Sequence, residues 1–282
     1  MIAYDFEYYR PETYTEAIEI FHEKSKEGKS PIYYCGGTET VTYARKNLVS
    51  TGAVIDIKAI PECLEFSEEG DKIIYGAALN LNYIVEKTSF KLMSDVIRKI
   101  ADHTVRNRLS LGGNICGRLF YREAILPILV TEGVAVIAGK DGVRRVPVLE
   151  FFNKRVNLSE GEILLQVEID KKYTALPYYN ERKERQGKID YPLFHLVAIK
   201  VGEQIRFAFS GICPYPFRAL GLEKVLNNRI MSIEDRAKYA TENLPTNARN
   251  DIYASSEFRI YLFEKAVVNA LRKLEVENSD SL

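Results

Sequence analysis

The spacing of apolar and polar residues predicts strands and a helix at the start of the chain. Thr13 and Glu16 form a capping box ahead of an apolar series at helical spacing, which predicts a helix ending near Gly28. Residues 31–35 are mostly aromatic or β-branched and predict a buried strand, and residues 54–57 predict another. A small strand–helix–strand unit is therefore expected in this region.

The rest of the chain continues as mixed helix and strand. Further strands are predicted at 72–75, 134–138, 163–169, 194–201 and 204–210, and helices at 80–87, 92–101, 122–132, 217–226, 233–242 and 257–273. The charged segment 180–190 predicts a loop. Because strands precede helices beyond residue 175, that part is typical of an α+β unit. We predict a domain 1–175, with subdomains of about 1–60 and 61–175, and a C-terminal domain 176–282.

The composition and charge of the chain argue against some classes of binding partner. The 282 residues are 46% hydrophobic and 28% charged, and 39 basic residues balance 39 acidic ones. A surface that tracks nucleic-acid phosphates needs a basic excess, so no nucleic-acid partner is expected. The most apolar long window, 124–139, is interrupted by Pro127 and Glu132 and is too short for a membrane span. The N-terminus lacks the features of a signal peptide, so a cytoplasmic location is expected.

Cysteines and histidines are scattered singly. The cysteines occur at positions 35, 63, 116 and 213, and the histidines at positions 22, 103 and 195. Without a C-x-x-C or H-E-x-x-H spacing, neither a zinc site nor an iron–sulfur cluster is predicted within this chain. The histidines are interpreted as structural, and no catalytic side chain is predicted.

Two segments, 35–39 and 110–114, combine paired glycines with a hydroxyl and a polar side chain. Paired glycines expose consecutive backbone N–H groups and allow a close approach, and the first pair lies where a strand becomes a helix. Such loops can hold phosphates, although a plain turn is the alternative for each loop taken alone. Neither has the G-x-G-x-x-G spacing of a Rossmann fold or the G-K-[ST] of a P-loop.

Taken together, the two loops resemble a known family. Residues 34–39 read YCGGTE and residues 105–114 read VRNRLSLGGN. They are similar to the A-G-G-T-D and I-R-N-x-x-T-I-G-G-N loops of the FAD-binding medium subunit of molybdenum hydroxylases, a family that includes xanthine dehydrogenase and aerobic carbon monoxide dehydrogenase. The similarity continues through 126–127, 146–152, 161–164 and 209–218, and so covers nearly the whole chain.

The resemblance implies an α+β protein. It has a two-subdomain FAD-binding fold of the PCMH / CO dehydrogenase flavoprotein type, followed by a small C-terminal α+β domain. Both glycine loops would hold the pyrophosphate of FAD. The implied residues are Tyr34, Cys35, Gly36, Gly37, Thr38 and Glu39 in the first loop, and Arg106, Ser110, Leu111, Gly112, Gly113 and Asn114 around the second.

Three further residues are implied beyond the loops. Glu123 stands where the family has an Asp near the adenosine end of FAD, and an acid at a helix N-terminus is the alternative. Tyr179 and Lys183 fall in the segment that runs along the isoalloxazine ring in the family. A cation near that ring would stabilise reduced flavin, whereas a solvated charged loop is the alternative reading.

The implied function is that of an electron-transfer flavoprotein subunit. FAD would accept electrons from iron–sulfur centres on a partner chain and pass them to NAD+ or another acceptor. The implied partners are a small [2Fe–2S] subunit and a large molybdopterin-binding subunit. Two alternatives stay open: a free-standing flavin oxidoreductase, and a non-catalytic scaffold subunit that has kept the fold.

Overall fold

The computed structural model describes residues 2–185 and 190–276. The helices are α1 (Tyr14–Lys26), α2 (Thr38–Arg45), α3 (Pro61–Leu64), α4 (Leu81–Lys87), α5 (Lys91–Ile97), α6 (His103–Arg106), α7 (Leu111–Cys116), α8 (Ile125–Val130), α9 (Val148–Phe151), α10 (Leu220–Leu226), α11 (Ile233–Thr241) and α12 (Ser256–Val276). The strands are β1 (Glu7–Tyr9), β2 (Ile32–Tyr34), β3 (Ala53–Asp56), β4 (Phe66–Ser67), β5 (Lys72–Gly76), β6 (Val134–Gly139), β7 (Gly142–Pro147), β8 (Phe152–Asn153), β9 (Arg155–Val156), β10 (Ile163–Asp170), β11 (Tyr178–Glu184), β12 (Pro192–Val201) and β13 (Gln204–Ser210).

The chain forms two compact units, each made of alternating segments. Unit 1 contains the described residues up to Thr88 together with His103–Arg118 and Gly133–Asp170. Unit 2 contains Ser89–Asp102, Leu119–Glu132 and the described residues from Lys171 onward. This division differs from the contiguous domains predicted around residue 175, because α5 and α8 pack with the strands of unit 2.

Unit 1 is built on two larger sheets, to which β8 and β9 add a short antiparallel pair. Strands β1, β3 and β2 form a parallel sheet in that order, and β4-β5-β10-β6-β7 form an antiparallel one. A shared core, which includes Ile18 of α1, Ile55 of β3 and Ile163 of β10, buries apolar side chains from both sheets. This mixed architecture confirms the predicted α+β fold class.

One half of the predicted capping box is present at the start of α1. The Glu16 amide donates to Thr13 Oγ1 at 3.2 Å, which satisfies a donor that the first helical turn leaves without an intrahelical acceptor. The Glu16 carboxylate accepts from the amide of Glu12 at 3.0 Å, one residue before the N-cap, rather than from Thr13. The helix begins where the sequence predicted it.

Unit 2 is built on the antiparallel sheet β11-β12-β13. Leu196 and Ala198 of β12 share an apolar core with Phe263 and Val267 of α12. The loop predicted from residue 180 is wrong for residues 180–184, which belong to β11. The charged side chains of β11 pair with other residues of unit 2, as described below. A charged sequence therefore forms a strand here. The remainder of that predicted loop, at 186–189, lies outside the described residues.

Candidate functional site

The first glycine loop connects β2 to α2 in unit 1. Gly37 caps α2 with φ +71°, in the left-handed region, and an added Cβ would lie 2.3 Å from the Tyr34 hydroxyl. Only glycine fits this backbone and this contact without strain. The N–H groups of Gly37 and Thr38 donate to no acceptor among the residues that the structure describes. Two consecutive amides at a helix start without acceptors favour an anion there.

The two glycine loops lie side by side. A Cβ on Gly36 would lie only 1.7 Å from the carbonyl oxygen of Arg108, so the two backbones are in direct contact there. The amide of Arg118, just after α7, donates to both carboxylate oxygens of Glu39 at 2.9 Å. The predicted convergence of the loops therefore agrees with the geometry of unit 1.

The amides of the second loop already have hydrogen-bond acceptors within unit 1. The Leu111 amide donates to Leu79 O at 2.9 Å, and the Gly112 amide donates to Ala77 O at 2.8 Å. The Gly113 amide donates to Ser110 Oγ at 3.1 Å, which caps α7. Whereas Gly37 and Thr38 of the first loop have amides without acceptors among the described residues, the amides of the second loop have acceptors, and the buried Ser110 side chain caps α7.

The two glycines of the second loop differ in what surrounds them. A Cβ on Gly112 would lie 2.8 Å from the Cβ of Ala77 and 2.9 Å from its carbonyl oxygen, so close packing requires glycine. A Cβ on Gly113 would meet only Ser110 Oγ, at 2.8 Å. Packing against other parts of unit 1 therefore does not require glycine at position 113. The reason for this glycine lies at the surface of the loop itself.

Arg106 braces the second loop from inside unit 1. Its side chain is buried, and Nε donates to Asn82 Oδ1 at 2.9 Å. The amide nitrogen Nδ2 of Asn82 in turn donates to His103 O and to Asn107 Oδ1. Arg106 therefore holds the segment that leads into the loop in place.

Sequence analysis missed Lys58 as part of this site. Its Nζ donates to Cys35 O at 3.1 Å and to Asp56 Oδ2 at 2.6 Å, and lies 4.8 Å from the centre of the Tyr34 ring. Burial alone raises the pKa of Asp56, but its hydrogen bonds with Lys58 and Tyr8 lower that pKa overall. Lys58 thus places a cation beside the first loop. A lone lysine after a strand gives no sequence signal of this role.

Glu123 lies in a buried ionic cluster of unit 2. The Arg182 guanidinium donates to it from Nε at 2.6 Å and from Nη2 at 3.2 Å. His195 Nδ1 lies 2.7 Å from Glu123 Oε1, and its Nε2 lies 2.7 Å from Asn180 Oδ1. Arg182 also donates to Glu184. Both carboxylate oxygens of Glu123 are thus engaged within unit 2, and its role near adenosine stays a prediction that this geometry does not favour.

Burial and charge act against each other in this cluster. Burial on its own raises the pKa of Glu123, but His195 and Arg182 lower the pKa below its ordinary value. Complete burial lowers the pKa of His195, and this outweighs the opposing effect of Glu123. Both groups therefore resist protonation in the folded protein more than they would in an unfolded chain.

This pair makes the protein sensitive to acid. The folded pKa of His195 lies below the ordinary 6.5, so the unfolded chain binds more protons as the pH falls below that value. The free energy of unfolding should fall with decreasing pH below about 6.5, at up to about 1.4 kcal/mol per pH unit. Urea unfolding followed by circular dichroism at pH 7.5 and 5.5 measures this loss.

Two substitutions separate His195 from the other titrating groups. His195→Gln should remove most of the difference between the two pH values, whatever its effect at pH 7.5. His103→Gln, at a side chain that is 68% exposed, should leave the difference unchanged. Equal pH dependence in His195→Gln and the natural protein would contradict the role of His195.

Tyr179 and Lys183 lie on β11 in unit 2. The Tyr179 hydroxyl donates to Glu181, and Lys183 Nζ lies 3.0 Å from Glu181 Oε1. The side chain of Lys183 is 46% exposed, so its ammonium is accessible. Both residues thus share one acid, and their predicted place along a flavin ring stays a prediction.

The described residues contain neither a metal-binding cluster nor a helix suited to cross a membrane. Across 2–185 and 190–276, no group of three or more His, Cys, Asp and Glu side chains is arranged to hold a metal ion. Among the helices in these same ranges, none combines the length and apolar character that a membrane crossing requires.

The chain is similar to known proteins over most of its length. It is 27% identical over 232 residues to the carbon monoxide dehydrogenase medium chain of Hydrogenophaga pseudoflava, covering 78% of this chain and 79% of that one. It is 23% identical over 284 residues to the glyceraldehyde dehydrogenase medium chain of Sulfolobus acidocaldarius, covering 96% and 98%.

Solved structures share the fold. A chain of carbon monoxide dehydrogenase from Hydrogenophaga pseudoflava superposes with a TM-score of 0.86 at 22% identity, covering 98% of this chain and 99% of that one. A chain of quinoline 2-oxidoreductase from Pseudomonas putida 86 gives 0.84 at 22% identity, covering 96% and 97%. The model of the family described as "FAD binding domain in molybdopterin dehydrogenase" matches residues 4–171. The chain therefore belongs to this family of FAD-binding oxidoreductase subunits.

Proposed function

We propose that this chain is the FAD-carrying electron-transfer subunit of a molybdenum hydroxylase-type complex in the cytoplasm. Electrons would come from [2Fe–2S] centres on a small partner subunit and pass through FAD to NAD+ or another acceptor. The organic or gaseous substrate would be oxidised on a large molybdopterin-binding partner. Family membership and the medium-chain relatives support this proposal.

The observation that carries the proposal is the pairing of the two glycine loops in unit 1. The amides of Gly37 and Thr38 have no acceptor among the described residues, and the Ser110 side chain lies on the adjoining loop. These groups, with Asn114 and the nearby Lys58 ammonium, would bind the pyrophosphate, which carries about two negative charges. Bound FAD supplies the electron-transfer chemistry, and the protein supplies binding and electrostatics.

FAD titration of the purified chain tests this site. Gly113→Ala should weaken FAD binding by about tenfold, because the new Cβ displaces the Ser110 hydroxyl while the fold is kept. Gly221→Ala is the matched control, since its Cβ would meet open space in unit 2. Fluorescence quenching of FAD measures the affinity of both variants. Equal affinity in Gly113→Ala and the natural chain would contradict the proposed pyrophosphate site, and no measurable FAD binding by the natural chain would favour a scaffold subunit.

A second experiment separates an electron-transfer subunit from a free-standing flavin oxidoreductase. The FAD-loaded chain alone should not be bleached by aldehydes or N-heterocyclic substrates, but should be reduced by dithionite. Addition of the two partner subunits should make the flavin reducible by the substrate of the complex. Bleaching of the isolated chain by an organic substrate would support the free-standing enzyme instead.

A further inference from the structure

A cavity of about 580 Å³ lies within unit 2. It is bounded by α5 and the two residues after it, by the start of β11, and by the last turn of α12. A volume of this size is typical of small-molecule sites. All of its lining residues belong to one compact unit.

The walls of this cavity carry an excess of positive charge. Lys91, Arg98, Lys99 and Lys273 line it, against the single acid Asp95. Asp95 is already engaged, because its Oδ2 accepts the Tyr178 hydroxyl at 2.6 Å. Within residues 2–185 and 190–276, Lys91, Lys99 and Lys273 form no ion pair. In a chain of zero net charge, such a local excess favours an anionic ligand.

Lys99 adds a second argument for an anion. Nearby protein atoms partly desolvate Lys99 and lower its pKa although its side chain reaches the surface, and the carboxylate of Glu184 only partly opposes this effect. An ammonium that burial disfavours gains more from a nearby negative charge than a fully hydrated one does. A bound anion would therefore stabilise the charged form of Lys99.

The remaining wall is apolar and aromatic. The cavity is also lined by Leu176, Pro177, Tyr178 and Tyr179, and Lys273 Nζ lies 5.8 Å from the centre of the Tyr179 ring. The two tyrosine rings can stack with a planar aromatic group, and the lysine side chains can bind phosphate oxygens. This combination matches a nucleotide better than a small inorganic anion.

We propose that this cavity in unit 2 binds a nucleotide, with its phosphates on Lys91, Arg98, Lys99 and Lys273 and its base on the wall of Pro177 and Tyr178. The cavity is formed by unit 2, whereas the glycine loops of the proposed pyrophosphate site belong to unit 1; Tyr179, which lines the cavity, is also one of the two residues predicted along the flavin ring. All four cationic side chains are exposed at the surface, so single and double substitutions there should leave the fold intact.

Calorimetric titration of the FAD-saturated full chain with ADP and with inorganic pyrophosphate tests the proposal. ADP should bind, and at least about tenfold more tightly than pyrophosphate, because only ADP offers a ring. Lys91→Gln with Lys99→Gln should weaken ADP binding by at least about tenfold. The matched control, Lys224→Gln with Lys238→Gln, removes two exposed lysines of unit 2 outside the cavity and should bind ADP normally.

Three results would overturn the proposal. One is the absence of ADP binding at millimolar concentration in the FAD-saturated protein. Another is equal affinity for ADP and pyrophosphate, which would remove the aromatic wall from the site. The third is equal ADP affinity in the cavity variant and its control, which would place the bound ADP elsewhere. A chain that failed to bind FAD would still respond to the lysine substitutions, so the two proposals can fail separately.

Discussion

Replacing Glu123 by alanine is expected to lower the free energy of unfolding by about 3–5 kcal/mol, because it removes the acid that both buried His195 and buried Arg182 contact and leaves Arg182 with only the partly exposed Glu184. Arg182 has only 2% of its side chain exposed and His195 has none. Neither can reach water to replace the lost carboxylate. Urea or thermal unfolding monitored by circular dichroism measures the loss.

A double-mutant cycle separates this cluster from simple loss of packing. Arg182→Met in the Glu123→Ala background should recover part of the lost stability, since it removes the buried cation that has lost the Glu123 carboxylate. The control Glu203→Ala removes an exposed pair with Arg229 and should change the free energy of unfolding by no more than about 1 kcal/mol. A loss below about 1 kcal/mol in Glu123→Ala would mean that the cluster is not a structural centre of unit 2.

Gly36→Ala should both destabilise the protein and abolish FAD binding. The new Cβ would lie 1.7 Å from the carbonyl oxygen of Arg108, which belongs to the backbone and cannot rotate away. The two glycine loops must then separate, at a cost of about 3 kcal/mol. The visible absorbance of the flavin in the purified protein reports flavin content, and circular dichroism reports folding.

The comparison with Gly113→Ala makes this result interpretable. Gly113→Ala should lose affinity for FAD with a loss of stability of only about 1 kcal/mol from the Ser110 cap, whereas Gly36→Ala should lose FAD binding together with about 3 kcal/mol of stability. A folded Gly36→Ala protein that still held FAD would contradict the idea that contact between the loops forms the site. Flavin content normalised to the folded fraction distinguishes these outcomes.

Local sequence signals predicted the start of α1 and the first glycine loop well. Thr13 and Glu16 act within one turn, and Gly37 needs its left-handed backbone whatever surrounds it. These features depend on neighbours along the chain, which a single sequence shows directly. The same holds for the apolar strand β12, because its long run of apolar residues predicts nearly the whole length of the strand.

Features that depend on distant partners were not predictable in this way. The charges of β11 suggested a solvated loop, but Arg182 meets Glu123 across 59 residues of sequence. The second loop was expected to offer its amides, yet Leu111 and Gly112 donate to Leu79 and Ala77. No periodicity or spacing in the chain indicates these partners.

Each unit is made of three separate stretches of the chain, and this limits how relatives can be recombined. The chain passes from one unit to the other at residues 88–89, 102–103, 118–119, 132–133 and 170–171. A hybrid made by a single crossover near residue 170 would inherit α5 and α8 from one parent and the sheet they pack against from the other. Viable chimeras should therefore exchange three separate stretches together, and a contiguous cassette should yield poorly packed protein.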